Sequence, residues 1–150
     1  MRHEPPPNPA VRAFRESDRA ALREVYLLSR MDTFRWLDTS RFALEDFDAK
    51  VEGEHVLVAE RGGVAVGFAS VWEADAYLHN LFVHPAHVGT GVGHALLTAV
   101  EARSAGPLRL KCLVRNERAI RFYRAHGWTE VARGETADGE HAILRSGGRA

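Results

Sequence analysis

The sequence predicts a single α+β domain, and three observations lead to that prediction. Its 150 residues suit one domain with one sizeable hydrophobic core. Three strand-like stretches follow one another between residues 55 and 83, with only turns between them. A glycine-containing loop and a helical stretch come next, so the order is not the strict alternation of strands and helices that a doubly wound sheet requires.

The amino-terminal part is predicted to begin with a tail. Residues 1–9 hold four prolines and little to bury, so we expect them to be loose. Residues 10–14 are expected to form a first strand. Ser17 is predicted to cap a helix whose apolar side chains recur at amphipathic spacing, and this helix is expected to end near Ser29 or Arg30.

The stretch that follows is the least regular part of the chain. Residues 31–54 mix aromatic side chains with carboxylates, and a short helix is predicted near residues 40–50. Such a mixture is typical of an amine-binding groove. It is equally typical of a solvated helix face that lies over buried aromatic residues, and the sequence leaves both interpretations open.

The central strands have the clearest pattern. Residues 55–60 and 64–72 predict two strands joined by a glycine turn at residues 61–63. Gly67, inside the second of these strands, is expected to mark a bulge. Residues 77–83 predict the third strand, which leads directly into the glycine loop.

The second half of the chain completes the predicted sheet. A helix is expected from about Gly91 to Ser104, where Gly106 and Pro107 supply a usual stop signal. Residues 108–114 predict a strand, and Asn116 is expected to cap a short helix that ends at Gly127. The chain then closes with a hairpin, for which residues 129–135 and 141–145 are the strands, and residues 147–150 are expected to be a polar tail.

The loop after the third strand has a composition suited to binding an anion. Glycine occupies positions 89, 91 and 93, so the backbone can turn tightly and its N–H groups can approach a phosphate at the positive end of a helix. A Walker loop is excluded because neither lysine nor a hydroxyl residue follows Gly93. A dinucleotide fingerprint is excluded because its last glycine would be His94 or Leu96. A tight connection without a ligand is the alternative.

Composition excludes several function classes. Twenty basic and twenty acidic residues balance, and no basic block predicts a nucleic-acid surface. Cys112 is the only cysteine, which fits a reducing compartment, and no apolar run approaches a membrane span. We therefore expect a cytoplasmic protein with no membrane or nucleic-acid partner. A homodimer is compatible with the sequence.

Two motifs resemble those of the GNAT superfamily of N-acetyltransferases. Val83-His84-Pro85 followed by Gly91 and Gly93 resembles its pyrophosphate loop. The second signature, Asn-x-x-Ala-x-x-Phe-Tyr-x-x-x-Gly-Trp, is matched in the order that the family has. Its matching residues are Asn116, Ala119, Phe122, Tyr123, Gly127 and Trp128. Val88 replaces the usual glutamine or arginine of the loop, which raises the question of weaker cofactor binding.

The resemblance implies a fold and an activity. The fold is a single domain over residues 10–146, with a mixed, mostly antiparallel sheet of six to seven strands, about four flanking helices and a splay between strands four and five. The activity is direct transfer of an acetyl group from acetyl-CoA to a primary amine, with a small molecule favoured as acceptor. The alternatives are a protein N-terminal or lysine acetyltransferase, whose acceptor is a peptide amine, and a catalytically silent sensor of acyl-CoA.

The resemblance also implies the site residues. The pantetheine arm is expected along the edge of the third central strand and against the second motif, and the diphosphate is expected on the loop. These cofactor-binding residues are Leu81, Phe82, Val83, Val88, Gly89, Thr90, Gly91, Val92, Gly93, His94, Asn116, Ala119, Phe122 and Tyr123. Tyr123 matches the family's general acid, which protonates the departing thiolate.

The general base is less directly indicated. In some family members a glutamate serves as the base at the position that Tyr77 occupies here. This sequence therefore lacks that glutamate. His79 lies two residues along on the same predicted strand face and titrates in a useful range, whereas Glu73 in the preceding turn is the second candidate. A structural histidine is the alternative for His79. Four histidines between residues 79 and 94 lack the spacing of a zinc site, so we expect no metal.

Overall fold

The strands are arranged in the sheet in an order that differs from their order in the sequence. The computed structural model describes residues 8–147, and its strands are β1 (Ala10–Ala13), β2 (His55–Arg61), β3 (Val64–Trp72), β4 (Tyr77–Val83), β5 (Arg109–Leu113), β6 (Thr129–Thr136) and β7 (Gly139–Arg145). The helices are α1 (Arg19–Thr33), α2 (Asp46–Lys50), α3 (Val92–Arg103) and α4 (Glu117–Ala125). The strand order is β1-β2-β3-β4-β5-β7-β6. The predicted mixed, mostly antiparallel α+β sheet with about four helices is confirmed.

The splay between the fourth and fifth strands is confirmed as well. β4 and β5 form the parallel pair of the sheet, and one residue pair, Tyr77 with Arg109, joins them. The Arg109 N–H also donates to the Ala76 carbonyl at 3.0 Å, just before β4 begins. The two strands therefore meet only at their first residues and separate afterwards. This leaves the edge of residues 81–83 facing a gap.

Two apolar layers hold the helices against the sheet. On one face, α3 and α4 cover a core that includes the fully buried Leu96 and Leu97. On the other face, α1 and α2 cover a second core built around Leu22, Phe47 and Phe68. Each such side chain contributes about 1.5 to 3 kcal/mol when it leaves water. The gap between β4 and β5 therefore lies in a sheet that is packed on both sides.

The first helix begins later than the sequence predicted. Ser17 does not cap it, since a 3-10 turn (Glu16–Asp18) comes first and α1 starts at Arg19. The reason is the carboxylate of Asp18, which accepts the Arg15 N–H at 2.8 Å and both terminal nitrogens of Arg12 at 2.8 Å. These bonds fix a tighter turn in front of the helix.

The same helix also ends later than predicted. It continues to Thr33, past Ser29 and Arg30, and both of these residues are buried. The Arg30 guanidinium lies 3.9 Å from the centre of the Tyr26 ring and donates to the Tyr26 carbonyl at 3.2 Å. These contacts stabilise the last turns. The short helix predicted near residues 40–50 is confined to α2.

Gly67 stands at the bulge that the sequence predicted, and it has a second role as well. The register between β2 and β3 shifts beside it, because Ala59 pairs with Gly67 and Glu60 pairs with Ala65. A side chain at Gly67 would bring its Cβ within 3.0 Å of the Phe82 carbonyl and of Val92. Glycine is therefore required here because β4 and α3 approach the backbone closely.

The predicted glycine turn between β2 and β3 is present, at Gly62 and Gly63, and both have positive φ. Of the predicted tails, residues 1–7 and 148–150 lie outside the described part of the chain. Between residues 8 and 147, no helix combines the length and the apolar character needed to cross a membrane.

Candidate active site

The loop after β4 is held in a conformation that only glycine adopts readily. A 3-10 turn (Pro85–His87) follows β4, and Gly89 and Gly91 then have φ of 78° and 95°. Gly91 is the residue in front of α3. A Cβ built on either glycine would meet no heavy atom within 4 Å. The requirement for glycine at both positions therefore comes from the left-handed backbone and not from a lack of space.

This backbone leaves a row of N–H groups free to bind an anion. The first turn of α3 closes where the Ala95 N–H donates to the Gly91 carbonyl at 3.0 Å. Across the described part of the chain, no hydrogen bond engages the N–H groups of residues 89–94. The first N–H groups of a helix have no partner within it, and they carry the positive end of its dipole. The loop therefore keeps its donors available for a phosphate.

Arg61 supports the loop at Thr90. Its guanidinium is buried and donates to the Thr90 hydroxyl at 2.8 Å and to the Thr90 carbonyl at 2.9 Å. The Thr90 hydroxyl in turn donates to the His87 carbonyl. Burial, together with the nearby guanidinium of Arg61, lowers the pKa of His87. Sequence reasoning missed this role, because Arg61 is the last residue of β2 and lies 29 positions before Thr90.

A cavity of about 460 Å³ opens in front of the loop and along the splayed edge of β4. Its lining residues are Ser29, Thr33, Leu81, Phe82, Val83, Val88, Gly89, Gly91, Gly93, His94, Asn116, Arg118, Ala119, Phe122 and Tyr123. All the predicted cofactor-binding residues lie here except Thr90, which contacts Arg61, and Val92, which is buried in the core. Sequence reasoning missed the contributions of α1 and of Arg118.

The start of α4 forms the opposite wall of the cavity. The Asn116 side chain accepts the Ala119 N–H at 3.3 Å and thereby caps the helix, as predicted. Phe122 packs on the glycine loop so closely that a Cβ on Gly93 would lie 3.3 Å from its ring. Gly93 is therefore needed for the contact between α3 and α4.

Two histidines connect these helices at the mouth of the cavity. The His94 Nδ1 and the His126 Nε2 are 2.8 Å apart, and the His126 Nδ1 lies 2.7 Å from the Phe122 carbonyl. A carbonyl only accepts, so the His126 Nδ1 carries a proton. In neutral His126 the Nε2 then accepts from the His94 Nδ1.

Tyr123 lies at the inner end of the cavity wall. Its side chain is 8% exposed and packs against the rings of Phe122 and Trp128. Burial raises the pKa of Tyr123, and the neighbouring Cys112 raises it further. The phenol therefore keeps its proton at neutral pH. Burial also raises the pKa of Cys112 to about 12, so this thiol stays protonated and behaves as a small core residue.

The structure does not bring Glu73 to this cavity. Its side chain is 64% exposed, and its carboxylate lies 3.7 Å from His55 Nδ1 and 3.9 Å from Arg103 Nη2. These residues line a separate cavity of about 290 Å³. Glu73 is therefore not among the residues that line the cavity of Tyr123.

His79 lies on β4 two residues before the edge that lines the cavity. Its side chain is 39% exposed, and its Nδ1 lies 2.8 Å from Oε2 of Glu54, whose own side chain is 6% exposed. Glu54 is a functional candidate that sequence reasoning missed. The only available signal was an acidic residue placed immediately before the apolar strand β2.

No metal centre is evident among residues 8–147, where no group of three or more histidine, cysteine or acidic side chains is placed to hold an ion. His84 and His87 are the histidines closest to each other in the sequence, and both make local hydrogen bonds. The His84 Nδ1 accepts the Ala86 N–H at 3.1 Å, and the His87 Nδ1 lies 3.2 Å from an Arg61 nitrogen.

Comparison with known proteins agrees with this geometry. A family model described as the acetyltransferase (GNAT) family matches residues 13–128. The L-methionine sulfoximine/L-methionine sulfone acetyltransferase of Salmonella typhimurium is 32% identical over 139 residues, which are 81% of this chain and 81% of the relative. The crystal structure of a GCN5-related N-acetyltransferase from Rhodopseudomonas palustris superimposes with a TM-score of 0.75 at 26% identity, covering 96% of this chain and 98% of that one.

A second similar structure was solved with a ligand. The PaiA N-acetyltransferase of Thermoplasma acidophilum was crystallised in complex with coenzyme A. It superimposes with a TM-score of 0.75 at 16% identity, covering 93% of this chain and 98% of that one. At this identity the likeness concerns the fold.

Proposed function

The chain belongs to the GNAT family of acetyltransferases, and we propose that it moves the acetyl group of acetyl-CoA to the primary amine of a small amino-acid-like molecule. The observation that carries this proposal is that one cavity joins the free N–H groups of the glycine loop, the unpaired edge of β4 and Tyr123. Such a cavity brings together an anion site, a strand edge and a proton donor.

Two parts of the cavity suit two parts of acetyl-CoA, the diphosphate and the pantetheine arm. The N–H groups of residues 89–94 are suited to the diphosphate. The edge of residues 81–83 is suited to the amides of the pantetheine arm, which would add to the sheet like a further strand. The remaining amide hydrogens of Asn116 lie on the opposite wall, because its oxygen already caps α4.

The reaction requires two proton transfers, and each has a candidate side chain. The acceptor enters as an ammonium and must lose one proton before its nitrogen attacks the acetyl carbon, and His79 takes this proton directly or through water. The C–N bond forms and the C–S bond breaks. Tyr123 gives its proton to the departing sulfur and recovers one from the nitrogen that has attacked. The products are the acetamide, the free thiol of coenzyme A and one released proton.

A small acceptor with a carboxylate is supported by the loop after α1. The Arg115 guanidinium lies 5.3 Å from the centre of the Trp36 ring, and the ring of Phe34 meets Trp36 edge to face at 5.6 Å. The Trp36 Nε1 is buried and has no hydrogen-bond partner among residues 8–147. The Arg115 guanidinium is suited to pair with an acceptor carboxylate, whereas the covered Trp36 Nε1 is not open to one. The Salmonella typhimurium relative is named for acceptors of this class.

Steady-state release of the coenzyme A thiol tests the proposal. The acceptors are L-methionine sulfone, its methyl amide, which keeps the amine and loses the carboxylate, and a lysine-containing peptide. We expect the highest kcat/KM for the free amino acid and a lower value for the amide. Arg115→Gln should bring these two values together. Preference for the peptide would instead identify a protein acetyltransferase, and acetyl-CoA binding without thiol release for any amine would contradict catalysis.

A further inference from the structure

The central strands hold a hydrogen-bonded row of side chains that ends at His79. We infer that Glu54 is the positioning residue of the general base, since it fixes the His79 ring in the tautomer that leaves Nε2 unprotonated. This inference rests on the proposed function, in which His79 accepts the proton of the acceptor ammonium. It names a residue that the sequence motifs of the family do not include.

A β-bulge places His79 outside the regular sheet. Ser70 of β3 pairs with Asn80 of β4, and the next residue Val71 pairs with Leu78, so His79 is the extra residue between them. A bulge redirects the side chain of the inserted residue and bends the strand locally. His79 is 39% exposed, whereas Leu78 and Asn80 on either side of it are buried. The bulge therefore brings an imidazole from a buried strand to the surface beside the cavity edge.

Three further side chains continue the row from His79, namely Glu54 just before β2, Ser70 on β3 and Asn80 on β4 itself. The Asn80 Nδ2 donates to the Ser70 Oγ at 2.7 Å, and the Ser70 hydroxyl donates to Oε1 of Glu54 at 2.8 Å. The other carboxylate oxygen, Oε2, lies 2.8 Å from the His79 Nδ1. Ser70 and Asn80 are 0% and 2% exposed. These bonds are therefore shielded from competition with water.

The direction of every proton in this row follows from its first member. An amide nitrogen only donates, so the Ser70 oxygen accepts from Asn80 and must use its single hydrogen toward Glu54. Both oxygens of an ionised Glu54 then act as acceptors. The His79 Nδ1 must carry its proton to complete the row, and a neutral ring then has its lone pair on Nε2. Because Nδ1 is engaged, Nε2 is the nitrogen that an acceptor or a water molecule reaches.

The Glu54 carboxylate keeps its contact with the ring throughout the proposed proton transfer. When Nε2 takes the substrate proton, the resulting imidazolium remains in contact with Glu54, so the positive charge is stabilised at the moment when it forms. A structural pair would need the same contact but would leave Nε2 without a function. The two interpretations differ in what happens when the tautomer is reversed.

Glu54→Gln is expected to reverse the tautomer without changing the size of the side chain. The Ser70 hydroxyl would still donate to the oxygen of the new amide, so the NH₂ group would face the His79 Nδ1 and require it to accept. The proton of the ring would move to Nε2, which could no longer act as a base. We expect kcat/KM for the amine to fall by about a hundredfold or more, near the usual contribution of a general base. The dissociation constant for acetyl-CoA should not change.

Two companion variants separate positioning from simple disruption. In Glu54→Ala the ring is free to choose either tautomer, so the loss should be smaller than in Glu54→Gln, although more contacts are removed. In the double variant Ser70→Ala with Glu54→Gln, no hydroxyl holds the amide oxygen. The glutamine is then able to turn that oxygen toward His79, and part of the activity should return.

The ¹⁵N chemical shifts of the His79 ring give a readout that is independent of turnover. The expected result is an Nδ1–H tautomer in the unmodified protein, an Nε2–H tautomer in Glu54→Gln, and the rank of activity just described. An unchanged tautomer in Glu54→Gln, or a larger loss for Glu54→Ala than for Glu54→Gln, would overturn the inference. His79→Gln keeps this separate from the proposed function, because full turnover in that variant would remove His79 as the base whatever Glu54 does to its ring.

Discussion

The left-handed backbone at Gly91 allows the proposed diphosphate site to be tested with one added methyl group. Gly91 has φ of 95°, and a Cβ there would meet no heavy atom within 4 Å. Gly91→Ala therefore introduces no clash with the protein, and its whole effect comes from the backbone. A non-glycine residue in this region costs about 1–2 kcal/mol.

This cost in free energy must be divided between two measurable quantities, the stability of the free protein and its affinity for acetyl-CoA. If the free protein keeps the loop conformation, the free energy of unfolding falls by the full amount. If the loop relaxes, the N–H groups of residues 89–94 lose their alignment. The loop must then be restored on binding, so the dissociation constant for acetyl-CoA rises by up to about 5- to 30-fold, at 1.4 kcal/mol per tenfold change. Urea unfolding and calorimetric titration with acetyl-CoA measure the two parts, and their sum should be about 1–2 kcal/mol.

Gly106→Ala is the matched control. A Cβ at Gly106 also meets no atom within 4 Å, and the residue does not have positive φ. It should bind acetyl-CoA as the unmodified protein does. Gly91→Val adds bulk where the ligand is expected and should weaken binding further. If Gly91→Val binds acetyl-CoA with an unaltered dissociation constant, or if Gly91→Ala changes neither measurement, the assignment of this loop to the diphosphate is wrong.

Three further predictions concern the acid, the cysteine and a buried ion pair. Tyr123→Phe should lower kcat by about 10- to 1000-fold with little change in acetyl-CoA affinity, and unchanged turnover would exclude Tyr123 as the acid. Cys112→Ala should retain turnover, because burial raises the pKa of the thiol to about 12, whereas an acyl-cysteine intermediate would make this variant inactive. Asp18→Asn should lower the free energy of unfolding by about 2–3 kcal/mol at neutral pH, while Glu16→Gln, with a side chain 73% exposed, should change it little. Hydrogen bonds from Arg12 lower the pKa of Asp18, so its contribution is complete above the unfolded pKa of about 3.9 and should disappear as the pH falls through the lower folded value. Chemical unfolding at several pH values measures this, and a difference that persists in acid would contradict the ion-pair explanation.

The loop and the second motif were predictable because their chemistry is local. Backbone angles require glycine at positions 89 and 91, and close packing requires it at position 93. All three positions lie in one short stretch of the sequence. Asn116 caps the helix that it precedes, which is also a local requirement. The general order of strands followed from alternation and turn residues for the same reason.

The missed residues depend on contacts between distant parts of the chain. Glu54 reaches His79 across 25 positions of sequence and Arg61 reaches Thr90 across 29. No spacing rule relates such pairs, because their meeting is decided by the register of β2, β3 and β4. The bulge at His79 is a register effect as well, and simple alternation along the strand could not reveal it.

The two candidate bases lie in different surroundings although they are close in sequence. Glu73 and His79 are only six positions apart, but the 3-10 turn (Glu73–Asp75) reverses the chain between them. Glu73 therefore stays near the end where β4 and β5 are paired, and His79 advances toward the end where they separate.

The splay joins these observations into one physical account. β5 leaves β4 after a single residue pair, so the backbone groups along residues 81–83 have no strand to bond on that side. Unpaired strand edges are a source of aggregation unless they are covered or paired. Here the edge is recessed between α1, the glycine loop and α4, where an extended ligand with amide groups can pair with it and another sheet cannot reach it. Opening the sheet therefore creates the groove that Tyr123 lines, and His79 lies on β4 two residues before the edge of that groove.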